Sequence, residues 1–498
     1  MNVNPITRLD YPDPDVIRVE DTYYMVSTTM HFMPGCEILQ SFDLVHWEHA
    51  TYVYETLDHT DAQQLKSGQN IYGQGMWAAS LRYHEGRFYI CFVANDTRKT
   101  YLYTSEKIDG PWKKQLMEGF YHDGSLLFDE DGRNYIVYGN DEIWITELNE
   151  DLTAPKKDGL HRLLVSDHKN PELGYEGSHI QKINGYYYIF LIHSLRDRWM
   201  RTEACFYSDS LEGEFTGGDV LCDDRGYCGQ GVAQGGIVDT PDGKWYAMLF
   251  QDSGAVGRIP ILVPVTWKDH FPVFGQNGHV PEEIEVHSTR PGYIYQPLVG
   301  SDDFCNGLLP RWQFNHDPDP RYYHLDALQG TYTITTREVC TELTQAVNTL
   351  TQRMSYPSCA AEVTVDASAL KEGDVAGLCA LQGCYAAVGI TKHHGKYEVL
   401  MLDKKEDGIL DMTERTVVES HQMDFRLEAD FCNMKDEARC YYRVNKGDWL
   451  PIGTVHKLYF KLDHFTGCRF GLFCYAAEET GGSACFRDFK YYDVDEIS

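Results

Sequence analysis

The sequence predicts an all-β protein, a five-bladed β-propeller followed by a β-sandwich. Three observations carry this. Five segments in the first half repeat one form, their turns carry hairpin chemistry, and no stretch shows clear helical periodicity.

Each repeat is a polar start, a short apolar strand, a tight turn and an aromatic-rich strand. The segments begin at Asp13, Trp77, Asp123, Glu176 and Gln234. Four turn on EG, DG, NG and DG, where glycine takes positive φ at little cost. The first is one residue shorter and reads VED. Aligned on Tyr24, Tyr89, Tyr135, Tyr188 and Tyr246, the repeats lie 65, 46, 53 and 58 residues apart, room for four strands each. Outer-strand echoes recur at Ser41 (SFDLVHW), Ser105 (SEKIDGPW) and Ser208 (SDSLEGEF). Five four-stranded units make a five-bladed propeller.

Repeat character stops near residue 290. The Pro/Gly-punctuated stretch His287–Phe304 reads as a linker, dividing a propeller at 1–297 from a second unit at 298–498. Beyond it come short alternating strands such as CAAEVTVDAS and CRFGLFCYA, the pattern of a sandwich.

Composition removes several functions. Lys plus Arg is 44 and Asp plus Glu is 75, a formal net charge of −31. Nucleic acid and anionic membrane surfaces are therefore not expected as partners. No apolar run approaches the roughly 20 residues of a membrane span. The N-terminus MNVNPITRLD lacks a signal-peptide pattern, and the 15 cysteines form no CxxC or zinc spacing. Buried thiols in a reducing cytoplasm are the expectation.

In a propeller the innermost strands line the central channel, so equivalent repeat starts ring one mouth. Here they are Asp13, Trp77, Asp123, Glu176 and Gln234: three carboxylates, an indole and an amide. Packing requires no acid at such positions, and converging acids perturb one another's protons. Two carboxylates without a metal motif suit glycoside hydrolysis, one giving a proton and the other acting on water or the sugar. From the residues alone, a carboxylate-dependent glycosidase and a non-catalytic sugar-binding propeller both stand.

The strings PDPDVIRVEDTYYMVSTTMHFMPG (from Pro12), GMWAASLRYHEGRFY (from Gly75), HDGSLLFDEDGRNYIVYG (from His122), YEGSHIQKINGYYY (from Tyr175) and GGIVDTPDGKWY (from Gly235) together resemble glycoside hydrolase family 43. The resemblance is to its two-domain β-xylosidase and α-L-arabinofuranosidase branch, and it runs through SDDF at Ser301 over nearly the whole chain. It implies exo-acting, inverting release of terminal α-L-arabinofuranose, β-D-xylose or both from arabinoxylan-type oligosaccharides. The strings PDPD and EGS set it apart from a retaining fructosidase-type propeller, the remaining alternative.

By resemblance Asp13 is the general base, with Asp15 its rival on the same face. Glu176 is the general acid, with Glu172 an out-of-phase rival, and Asp123 orients the acid and tunes its proton. Arg258 reaches a substrate hydroxyl and Trp77 walls the pocket. Met30, His31 and Phe32 take the place of a stretch lining the terminal-sugar subsite, although TTMHF departs from the STFEW-like form. His122 and His179 are expected as ordinary neighbours of the acids. Gln234 stands where many members carry a histidine beside a central calcium or water. A calcium ion is thus an open expectation there, and no cofactor is required. The second unit is implied to be concanavalin-like, sending an aromatic towards the site, here assigned to Phe486. The resemblance also allows a homo-oligomer.

Overall fold

The computed structural model describes residues 2–462 and 464–493. Five antiparallel sheets of the first half are the five blades. The first is built from Asp15–Val19, Thr22–Ser27, Gly35–Ser41 and Glu48–Tyr54. The next three run Met76–Met117, Ser125–Ser166 and Glu176–Leu221 in sequential order. In the fifth the innermost strand is broken into Val232–Ala233 and Ile237–Asp239, followed by Trp245–Asp252, Arg258–Lys268 and Phe271–Phe274. The ring is tied shut by Asn2–Val3, which pairs with Glu283–Ile284. Apolar side chains fill the spaces between neighbouring blades, so the blades are held face to face rather than by a single centre.

The second half stacks two antiparallel sheets over one core centred on Leu350, Val388, Phe425 and Leu472. One sheet has seven strands, from Tyr323–Asp326 at one edge to Leu450–Lys457 at the other. The other has eight, and its edge strand does not come from the sandwich. It is Phe32–Met33, a piece of the first blade's loop, with Met33 opposite Phe314 and Phe32 opposite Asn315. The two units therefore share a hydrogen-bonded sheet.

This pairing corrects the expectation for the TTMHF loop. Met30, His31 and Phe32 are each at most 2% exposed and do not line the pocket described below. Met30 exchanges backbone hydrogen bonds with Met76, and the His31 ring packs on His316 and Tyr72. Phe32 lies 3.5 Å under the Arg469 guanidinium. Once residues 32 and 33 serve as a sandwich strand, Phe32 turns to Arg469 and Met33 to the core between the first two blades, and neither faces the pocket. Phe486 is corrected as well. Strand alternation turns it into the sandwich core, fully buried beside Tyr332.

Candidate active site

Each blade enters the channel through a local kink. Asp13, Asp123 and Gln234 have φ of 51°, 47° and 62°, and Gly177 and Ala78, just after Glu176 and Trp77, have φ of 65° and 23°. Strand pairing skips registers at Trp77–Ser80 and Glu176–His179. Such bulges re-aim a side chain at a rim, and left-handed backbone at non-glycine residues is strain that persists where the surroundings enforce it. The kinks turn the five repeat starts into one pocket of about 180 Å³.

Asp13 is buried, and each of its oxygens has a donor. Arg258 Nη1 lies 2.6 Å from Oδ1, and Thr28 Oγ1 lies 2.6 Å from Oδ2. Asp15, its rival, points into the channel below, bound by Arg82, His179 and the Leu81 N–H. The fourth blade's Glu176 accepts a 2.8 Å hydrogen bond from Asn140 Nδ2, whereas Glu172 is exposed and outside the pocket. Asp123 accepts the Gly177 N–H at 2.9 Å. A Cβ on Gly177 would sit 2.7 Å from the Gln234 side chain, so glycine is required there for space as well as for φ.

Between the two acids stands His122. Its Nε2 is 3.5 Å from Asp123 and 3.7 Å from Glu176, and it has no hydrogen-bond partner. Burial opposes its charge, but Asp123 and Glu176 overcome it and push the imidazole up to about 9. Asp123 rises to about 6 because it is buried beside Glu176 and Asp13, with His122 opposing. For Glu176 burial works upward, yet His122, Arg201 and Arg258 outweigh it and hold the carboxyl below its usual range.

Two arginines complete the floor. Asp252, 2% exposed, holds Arg201 Nε at 2.6 Å and Arg258 Nε at 3.2 Å. Arg201 Nη1 is buried in the pocket without a partner, a donor free for a sugar hydroxyl. The walls are Trp77 and the sandwich's Phe465. Phe465 meets Trp77 edge-on at 5.1 Å and covers the Arg258 guanidinium at 3.6 Å. Phe465 therefore takes the place expected of Phe486.

The repeat phase found Asp13, Trp77, Asp123, Glu176 and Gln234, and the structure brings all five together with Arg258. It missed Arg201, Asn140 and Phe465 and undervalued His122. The dipeptide HD at His122 carried a local signal, whereas Phe465 carried none.

A larger cavity of about 300 Å³ is the opposite mouth of the channel. Its Arg18 and Lys182 are paired with Asp239 and Asp129, and no acids converge in it. The two mouths are separated by Arg82, whose guanidinium donates to Asp15, Ser125 and the carbonyls of Leu126 and Ile180. Calcium takes six to eight oxygens. Beside Gln234 the hydrogen-bonded acid is Glu203, whose Oε2 takes the Gln234 N–H, and the axis below is filled by Arg82. These residues do not build a calcium cage. Among the described residues, the one set of three or more acid, histidine or cysteine groups close enough for a cation is His122, Asp123 and Glu176.

A propeller with three acids and two arginines closing on a sugar-sized pocket defines a carbohydrate-cleaving hydrolase. The chain belongs to glycosyl hydrolases family 43, a family of inverting glycosidases, whose model matches residues 3–272. Residues 301–492 match the β-xylosidase C-terminal concanavalin A-like domain. It is 27% identical to a β-xylosidase of Formosa agariphila, over 99% of this chain and 89% of that one. It is 26% identical to a non-reducing end α-L-arabinofuranosidase of Bacteroides ovatus, over 66% of this chain and 63% of the other. Among solved structures, a bifunctional GH43-CE protein of Bacteroides eggerthii is 42% identical with a TM-score of 0.92. This chain is covered completely in that match but spans only 64% of that protein.

Proposed function

We propose that the protein releases single terminal β-D-xylose or α-L-arabinofuranose residues from arabinoxylan-type oligosaccharides with inversion. The observation that carries this is the half-enclosed pocket. Three acids from blades one, three and four meet in about 180 Å³, capped by Phe465 and Leu462, which suits a chain end and not a strand passing through. In this reading Asp13, fixed by Arg258 and Thr28, takes a proton from the attacking water. Glu176 protonates the leaving oxygen. Asp123, bonded to the N–H that follows Glu176, orients that acid. Arg201 and Arg258 receive sugar hydroxyls. The unpaired state of all fifteen cysteines supports the expected reducing, cytoplasmic setting.

The test is kcat/KM on 4-nitrophenyl β-D-xylopyranoside and 4-nitrophenyl α-L-arabinofuranoside side by side, with the first-formed anomer read by proton NMR. Turnover of either with inverted product supports the reading, and no turnover of both refutes it. Glu176→Gln should slow xylobiose far more than an activated dinitrophenyl xyloside. Equal loss on the two would place the acid elsewhere.

A further inference from the structure

The resting pocket presents a mismatch. The group assigned as proton donor, Glu176, sits in surroundings that favour its ionised form, with Arg201 and Arg258 on one side and the Asn140 amide donating to Oε2. The nearest group able to carry a proton is His122. Its Nε2 is buried, lacks any hydrogen bond, and stands within 4 Å of Glu176 Oε2 and Asp123 Oδ2. Asp13 adds a third negative charge from the first blade, and the Trp77 ring closes the remaining side at 6.5 Å. No structural bond explains a histidine in that position. Its backbone carbonyl takes the Gly139 N–H, which fixes the residue but places no hydrogen bond on Nε2.

We propose that His122 is the proton store of the site, holding as imidazolium the proton that Glu176 hands to the leaving group. The inference rests on Glu176 being the general acid. When substrate fills the pocket and displaces water, the N–H bond at His122 Nε2 breaks and an O–H bond forms on Glu176. That bond breaks in turn as the proton passes to the glycosidic oxygen. The anomeric C–O bond breaks with its electron pair going to that oxygen. Water adds to the anomeric carbon and loses its proton to Asp13. After product leaves, Asp13 gives that proton to solvent and His122 takes one back. His122 acts through Glu176 and is a positioning residue for the proton.

The store extends activity to the basic side. The limb of kcat/KM against pH reports loss of the essential proton from the free enzyme. With His122 present, that proton leaves the imidazolium, whose pair of acids raises it, so the limb lies on the basic side of neutrality. In full-length His122→Asn the proton must reside on Glu176 itself. The limb should move acidward by more than one pH unit, with at least a tenfold loss at pH 8 and less than threefold at pH 5, on xylobiose. A uniform loss at every pH, or a limb left in place, overturns the proposal. If the variant does not fold, the native protein decides. An imidazolium limb moves to lower pH on warming because imidazole ionisation is strongly endothermic, whereas a carboxyl limb stays still and would overturn the inference. The leaving-group signature of Glu176→Gln separates the two failures: if it holds while the limb is unmoved, only the role of His122 falls.

Discussion

Replacing Asp252 with asparagine keeps the side chain's shape and removes one acceptor. The carboxylate now serves Arg201 through one oxygen and Arg258 through the other, at 2.6 and 3.2 Å, in a place 2% exposed. An asparagine has one carbonyl oxygen, so it satisfies one guanidinium and turns its own N–H₂ towards the other. One charge-assisted hydrogen bond is lost, about 1.5–3 kcal/mol. The two buried cations also lose their shared counter-charge, and removing one member of a buried ion set costs about 3–5 kcal/mol of stability. If only the lost hydrogen bond reaches the transition state, kcat/KM falls about 10- to 150-fold. Arg258 also fixes Asp13, so the loss should appear in kcat as well as in KM. Urea unfolding and initial-rate kinetics on the same preparation measure both effects. A variant with an unmoved unfolding midpoint and kcat/KM within twofold of the parent would refute the idea that Asp252 organises this floor.

Two further predictions concern the junction of the domains. Phe465→Ala removes the ring lying on Arg258 and Trp77; at about 2 kcal/mol for a desolvated cation–π contact, kcat/KM should fall about 30-fold, checked by steady-state kinetics. Asp10 binds the N–H groups of Arg258 and Gly467 at 2.8 and 2.7 Å, and burial pushes its carboxyl up to about 6. Because that lies above the ordinary 3.8, its contribution to stability is whole below about pH 4 and is lost as pH rises through 6. Relative to Asp10→Asn, the native protein should lose about 3 kcal/mol between pH 4 and 7, from roughly 1.4 kcal/mol per pH unit, read by urea unfolding at both pH values. Parallel stability curves would refute it.

What the sequence made legible follows from repetition. Hairpins of equal length place equivalent residues at equivalent heights, so the starts at Asp13, Trp77, Asp123, Glu176 and Gln234 could be placed at one mouth without any knowledge of distance. The one-residue deletion in the first hairpin blurred Asp13 against Asp15 in phase; the family string favoured Asp13, and in the folded channel Asp15 is taken up by Arg82 and His179. Contacts between the two units follow no such period. Phe465 sits on a loop between sandwich strands, and nothing in its neighbours along the chain marks it as reaching a propeller. The TTMHF loop misled for a related reason. Its position in the first blade is that of a pocket-lining stretch, but whether its side chains face the pocket depends on two backbone pairings with residues nearly three hundred positions away. His122 was visible as a neighbour of an acid, but that its buried Nε2 makes no hydrogen bond depends on the fold and not on its neighbours along the chain.

The borrowed strand at Phe32–Met33 has a consequence for how the molecule holds together. A chain cut at the linker would leave the sandwich with an open sheet margin at Gln313–Asn315 and would uncover the propeller's apolar Phe32, each a template for unwanted association. Melting the sandwich also withdraws Phe465 from the sugar pocket, so kcat/KM should fall at least as far as in Phe465→Ala once the distal half is lost. Heat inactivation is therefore expected to follow the melting of the distal half, and a recombinant fragment ending at the last blade would be both sticky and slow.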